Sequence, residues 1–182
     1  MRQWRLIGFA VAALTVLGTV AAHAQEAGQP QALVITAQNL MAGDARHQAV
    51  AERGGDSNAL FAGDVVLYRL VFTNTTDVPV RHVEFKDPIP AALRYVDGSA
   101  TADRDDVAVS YSIDGGRVYS AQPMIEATVD GKTVQRPAPP EMYTHIRWMV
   151  EGWVEPGAQV TAEFRAQLSA PTGDHADSGA GK

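Results

Sequence analysis

The chain has 182 residues, with 15 basic side chains against 21 acidic ones, a formal net charge of −6, and no cysteine. Without Cys there is no disulfide, no thiolate metal site and no thiol nucleophile. The acidic balance disfavours a phosphate backbone as partner and offers no polybasic patch for anionic lipid.

Residues 1–24 read as a secretory signal. Arg2 and Arg5 form a positive n-region, Leu6 to Val20 an apolar h-region, and Ala22-His23-Ala24 a small-residue cleavage site. The competing reading is a membrane anchor, but 15 apolar residues fall short of the roughly 20 needed to span a bilayer. Cleavage before Gln25 leaves 13 basic residues against 21 acidic ones, a net charge of about −8, and no span. The expected location is the periplasm or the cell exterior.

Gln25 to Gln31 is a polar lead-in. Ala32 to Gln38 is the first predicted strand, with Leu33, Ile35 and Ala37 on one face. In Asn39 to Asn58, Gly43-Asp44 marks a turn, so Ala45 to Glu52 is expected to return as a second strand; a short helix is the alternative. Asp64 to Thr73 is the central strand. There Val66, Tyr68, Leu70 and Phe72 alternate with Leu67, Arg69, Val71 and Thr73, the period of a strand with one face in a core. Asn74 to Asp77 turns the chain. Val78 to Lys86 follows with Val83 and Phe85 inward, and Pro88 and Pro90 end it.

Leu93 to Val96 is a short strand, and Thr101 to Asp106 a polar loop. Val107 to Ile113 alternates again. Asp114-Gly115-Gly116 then predicts a hairpin with Arg117 to Ser120 returning. Asp130-Gly131 predicts a second hairpin between Met124–Val129 and Lys132–Arg136. Tyr143 to Val150 is a strand, Gly152 to Gly157 a turn, and Gln159 to Leu168 the cleanest alternation in the chain. Ser169 to Lys182 has no large apolar residue and is expected to be disordered.

Short strands separated by Gly, Pro and Asp turns indicate an all-β domain. The expected architecture is an Ig-like antiparallel β-sandwich with Greek-key connections, one domain over residues 32–168. Trp148, Phe85, Phe72, Tyr68 and Phe164 are its expected core.

Several motifs in this span resemble a known family. Gly63-Asp64 with Tyr68 and Asn74-Thr75, then Asp87-Pro88-Ile89-Pro90, then Tyr95-Val96-Asp97-Gly98-Ser99, is similar to a bacterial conserved-repeat domain, usually labelled domain of unknown function eleven. Trp148, Pro156-Gly157 and the strand to Leu168 resemble its closing half. The resemblance implies an Ig-like sandwich in exported or cell-surface proteins, often in tandem repeats, with no agreed catalytic residues. This chain holds one copy and adds the segment from Asn39 to Asn58. In physical terms Gly63-Asp64 turns into a strand, Asn74 bonds its own turn backbone, and Asp87 accepts from backbone N–H groups in the Pro-rich bend.

Candidates for chemistry are few. His47, His82, His145 and His175 sit in no nucleophile elbow, and His82 and His145 occupy outward strand positions. No pair of His or Glu residues has zinc spacing. Glu126, Glu151 and Glu155 are carboxylates of the type a glycosidase uses, without a sign that two face one another. Asp97, Asp103, Asp105, Asp106 and Asp114 cluster at strand ends and are calcium candidates, although the helix–loop–helix spacing is absent. Trp153, in a predicted turn, either caps the core or stands out as a contact.

The sequence therefore predicts a non-catalytic envelope module without a cofactor, partnered by an envelope protein or surface polymer. The alternative is a calcium- or carbohydrate-binding accessory domain using the acidic loops.

Overall fold

The computed structural model describes residues 32–56 and 59–169. The expected signal (1–24), the lead-in (25–31) and the tail beyond Ser169 lie outside the described residues.

The described residues form ten strands and one α-helix, with a short 3-10 turn at Pro140–Met142. In order they are β1 (Leu33–Asn39), α1 (Ala45–Glu52), β2 (Val65–Thr73), β3 (Val80–Pro88), β4 (Leu93–Tyr95) and β5 (Thr101–Ala102). Then come β6 (Val107–Ser112), β7 (Met124–Val129), β8 (Lys132–Pro137), β9 (His145–Val154) and β10 (Gln159–Leu168). All pairings are antiparallel.

One sheet runs β1-β2-β10-β4, with β5 also on β10; the second runs β3-β9-β6; among the described residues β7 and β8 pair only with each other. The all-β expectation holds, because period-two burial dominates. In β2 and β10 alternate residues are buried: Val66, Tyr68, Leu70 and Phe72, and Val160, Ala162, Phe164 and Ala166. These meet Phe85 of β3 and Ile146, Trp148 and Val150 of β9 in one cluster shared by both sheets. Trp148 lies 5.9 Å from Phe85 and 6.0 Å from Phe164 between ring centroids. All five expected core aromatics are buried. Full burial of such side chains stabilises by about 1.5–3 kcal/mol each, so this cluster is what holds a chain without disulfides.

The contacts also set the lateral alignment of the sheets. Trp148 of β9 faces Phe164 of β10, and Tyr95 of β4 meets Tyr111 of β6 at 5.3 Å. With β9 over β10 and β6 over β4, strand order puts β3 over β2, and β1 extends beyond the second sheet.

Three expectations are corrected. Ala45 to Glu52 is a helix rather than a returning strand. Asp44 caps its N-terminus, accepting from the His47 backbone N–H, and Arg53 N–H closes its end on Val50 O. Arg117 to Ser120 makes a single bridge, Tyr111 to Ser120, because Asp114 draws the Arg117 and Val118 N–H groups into its own turn. Finally β9 runs through Gly152 and Trp153 to Val154, so only Glu155 to Ala158 turns the chain.

Candidate functional site

Two places hold the buried carboxyl groups and the buried histidine of the described residues. The first joins the end of β1, helix α1 and the start of β2. The Asp44 cap places His47 on the inner side of the helix, fully buried. Its Nδ1 lies 2.7 Å from Asp44 Oδ1 and its Nε2 2.9 Å from Asp64 Oδ2.

Asp64 is buried and accepts further bonds, from Asn39 Nδ2 at 3.0 Å and from the Phe61 N–H at 2.9 Å, while Arg46 pairs with its other oxygen. Phe61 packs edge-on to His47 at 4.9 Å, and the Arg46 guanidinium lies 4.8 Å from the Phe61 ring centre. The hydrogen bond to Asp44, then the charge of Asp64, raise the His47 pKa against the opposing effect of burial. The bond from His47 holds the Asp44 carboxyl below its usual range. The Phe61 N–H and Asn39, with the charges of His47 and Arg46, do the same for Asp64 against its burial. A histidine held between two carboxylates fastens α1 to the start of β2. Sequence reasoning missed it; the Asp44-to-His47 spacing of one helical turn was its available signal.

The second cluster lies in the core. Asp87 follows Phe85 by two residues on β3, so it points inward, and it is 6% exposed. Its Oδ2 has no hydrogen-bond partner among the described residues. Burial pushes its pKa up to about 7, and burial followed by the charge of Asp87 pushes Tyr68 up to about 12. The expected role for Asp87, accepting from the Pro-rich bend, is corrected. The bend satisfies itself through backbone bonds, Ile89 N to Thr144 O and Leu93 N to Pro90 O.

Asn74 behaves as its sequence position predicts. Its Oδ1 accepts from the Thr76 N–H at 3.1 Å, and its Nδ2 donates to Val78 O and Val154 O at 2.9 Å each.

Among the described residues no three His, Asp or Glu side chains group as metal ligands. The calcium candidates occupy separate surroundings. Asp106 chelates Arg104, with Oδ1 2.8 Å from Nε, and that pairing lowers its pKa. Asp114 accepts from Ser112 Oγ at 2.7 Å and from the Arg117 and Val118 N–H groups at 3.1 and 3.0 Å. The backbone bonds lower its pKa first, the Ser112 bond second. Asp97, Asp103 and Asp105 join neither set.

His145 is partly buried, which lowers its pKa, and it contacts Thr144 Oγ1 at 3.2 Å. His82 sits at a bulge between Arg81 and Val83, with φ 56°. His175 lies outside the described residues. Glu126 faces Gln135 on the β7–β8 ribbon, whereas Glu151 and Glu155 lie at the far end of β9. Trp153 stands out rather than capping the core: it is 55% exposed, with the Arg81 guanidinium 5.3 Å from its ring centre. A shallow depression bounded by Ala62, Gly63, Arg94, Gln167 and Leu168 carries one charged side chain.

No family model matches the chain, and no significant match was found to it among curated proteins or solved structures.

Proposed function

We propose that this chain is an exported, non-catalytic Ig-like module of the bacterial cell envelope, working through structural or protein–protein contacts. The observation that carries this reading is how the one buried ion-pair cluster among the described residues is used. Buried His47 and Asp64, with the half-exposed Asp44, are spent on one another, where they pin α1 to the first sheet. A catalytic site instead turns such groups toward a space where a reacting atom can sit.

Three features support the Ig-like part. The chain passes from β2 to β3 to β4 and from β9 to β10 between two sheets, as Greek-key connections do. Trp148 sits at the centre of the shared core. The motifs from Gly63 to Leu168 resemble the conserved-repeat family. The signal features of residues 1–24 support export.

Fractionation of the producing cell with N-terminal sequencing tests the reading. The expected product starts at Gln25 and lies outside the cytoplasm. A cytoplasmic product that retains Arg2 and Arg5 overturns it. Calorimetry with calcium covers the accessory-domain alternative: sub-millimolar affinity with a large rise in melting temperature would replace the present reading.

A further inference from the structure

Helix α1 depends on its polar contacts. It has 8 residues, too few for a helix to persist in water without a surface to dock on. Among the described residues, the core cluster shared by the two sheets takes no side chain from it. Its one buried side chain is His47; Ala49 and Val50 are half-buried, and its other residues are exposed. Whether α1 stays in place therefore turns on His47.

The imidazole is clasped from two elements. Nδ1 lies 2.7 Å from Asp44 Oδ1, on the cap of the helix itself. Nε2 lies 2.9 Å from Asp64 Oδ2, at the entry to β2. Both partners are carboxylates, which only accept when ionised. A protonated ring donates through both nitrogens and ties the two together. A neutral ring carries a single N–H. With that hydrogen on Nδ1, the Nε2 lone pair faces an Asp64 oxygen; with it on Nε2, the Nδ1 lone pair faces an Asp44 oxygen. Either way one attraction becomes a repulsion, around a ring that is fully buried.

The neighbours do not undo this. Asn39 Nδ2 is 3.1 Å from Nε2 and has an N–H to offer the neutral ring. It also bonds Asp64 Oδ2 at 3.0 Å, so it leaves that oxygen and the ring nitrogen face to face. Among the described residues, the charged groups that face the ring are Asp44, Asp64 and Arg46, which pairs with Asp64. Arg46 keeps its charge throughout. Its side chain is 45% exposed, so its hold on Asp64 is weak once His47 no longer adds to it. Phe61 covers the ring edge-on and carries no charge.

We propose that α1 is a pH-operated latch: it is docked between the end of β1 and the entry to β2 while His47 is protonated, and it lets go, with both sheets still folded, once His47 is neutral. The direction follows from linkage. The bond to Asp44 and the charge of Asp64 raise the His47 pKa, so docking is complete below about 6.5 and is lost as pH rises through the folded value. Release brings His47 and Asp64 into water. The latch is a property of the chain itself and stands apart from the module reading, so failure of either leaves the other in place.

Hydrogen–deuterium exchange on the mature protein tests it, from about pH 5.5 to about pH 9, with each rate divided by that of the unfolded peptide at the same pH. The amides of residues 47–53 are expected to lose protection at least about tenfold, while those of β2 and β10 keep theirs. Magnetic resonance of the His47 ring gives its titration midpoint, and the two midpoints are expected to coincide above about 6.5. His47→Gln, with no second charge-assisted donor, leaves α1 poorly protected at every pH. Asp44→Asn keeps a capping side chain but removes a carboxylate. It moves both midpoints down together, and it stands in if His47→Gln fails to fold.

Protection of α1 that holds steady through the His47 titration overturns the proposal, as does a His47 midpoint at or below about 6.5. A loss shared equally by β2 and β10 also overturns it, since the whole domain is then unfolding. So does a loss that keeps its size and midpoint in His47→Gln, or in Asp44→Asn.

Discussion

Asp87 is a carboxylic acid far from its ordinary behaviour in water. Burial pushes its pKa up to about 7, from an ordinary carboxylate value of about 4. Between those values the folded chain holds a proton that the unfolded chain has released, so stability falls as pH rises from about 4 to 7. At about 1.4 kcal/mol per unit the change amounts to roughly 4 kcal/mol at most. Asp87→Asn removes the proton exchange and keeps the shape. Urea unfolding of both proteins from pH 4 to 8 is expected to show the wild type losing ground to the variant across that window; parallel curves would contradict the assignment. His47 acts in the same direction in a different range. Its raised pKa stabilises fully below about 6.5, and the contribution fades as pH climbs through the folded value. The inward position of Asp87 was legible, since Phe85 is inward and the period is two. The lack of a partner was not, because it depends on what β2 places opposite.

At the scale of elements, Asn74 is the stitch between strands. One amide bonds the turn after β2, the carbonyl of Val78 just before β3, and the end of β9. Asn74→Ala leaves the buried Val154 O without that donor, while Val78 O, on an exposed residue, keeps its bond from Thr76 Oγ1. The expected loss is about 2–3 kcal/mol in chemical denaturation; a change under about 0.5 kcal/mol would show that the turns hold without it. Strands were legible in the sequence because alternation is local, and the Asp130-Gly131 hairpin because φ of 51° and 74° suits those two residue types. Helix α1 was not, because Ala45 to Glu52 has no apolar stripe at helical spacing. Its one buried side chain is His47, and polar contacts rather than oil hold it.

For the whole molecule, the shared core predicts a single cooperative transition. Trp148 is buried where the two sheets meet, so its fluorescence reports on both. Unfolding followed by tryptophan emission and by far-ultraviolet dichroism is expected to coincide in midpoint and slope. Separate midpoints would mean that the sheets come apart independently. The β7–β8 ribbon lies outside that core and contributes little to it.

The sequence by itself determined most strand positions, the inward faces of β2, β3, β9 and β10 and the five core aromatics, because burial with a period of two is written residue by residue. The tertiary structure alone decided which strand lies over which. From that followed the separation of the ribbon from both sheets among the described residues, the unsatisfied oxygen of Asp87 and the capture of His47 between Asp44 and Asp64. Each is a meeting of residues distant in the chain, or a failure to meet, and no local pattern records the order in which strands assemble.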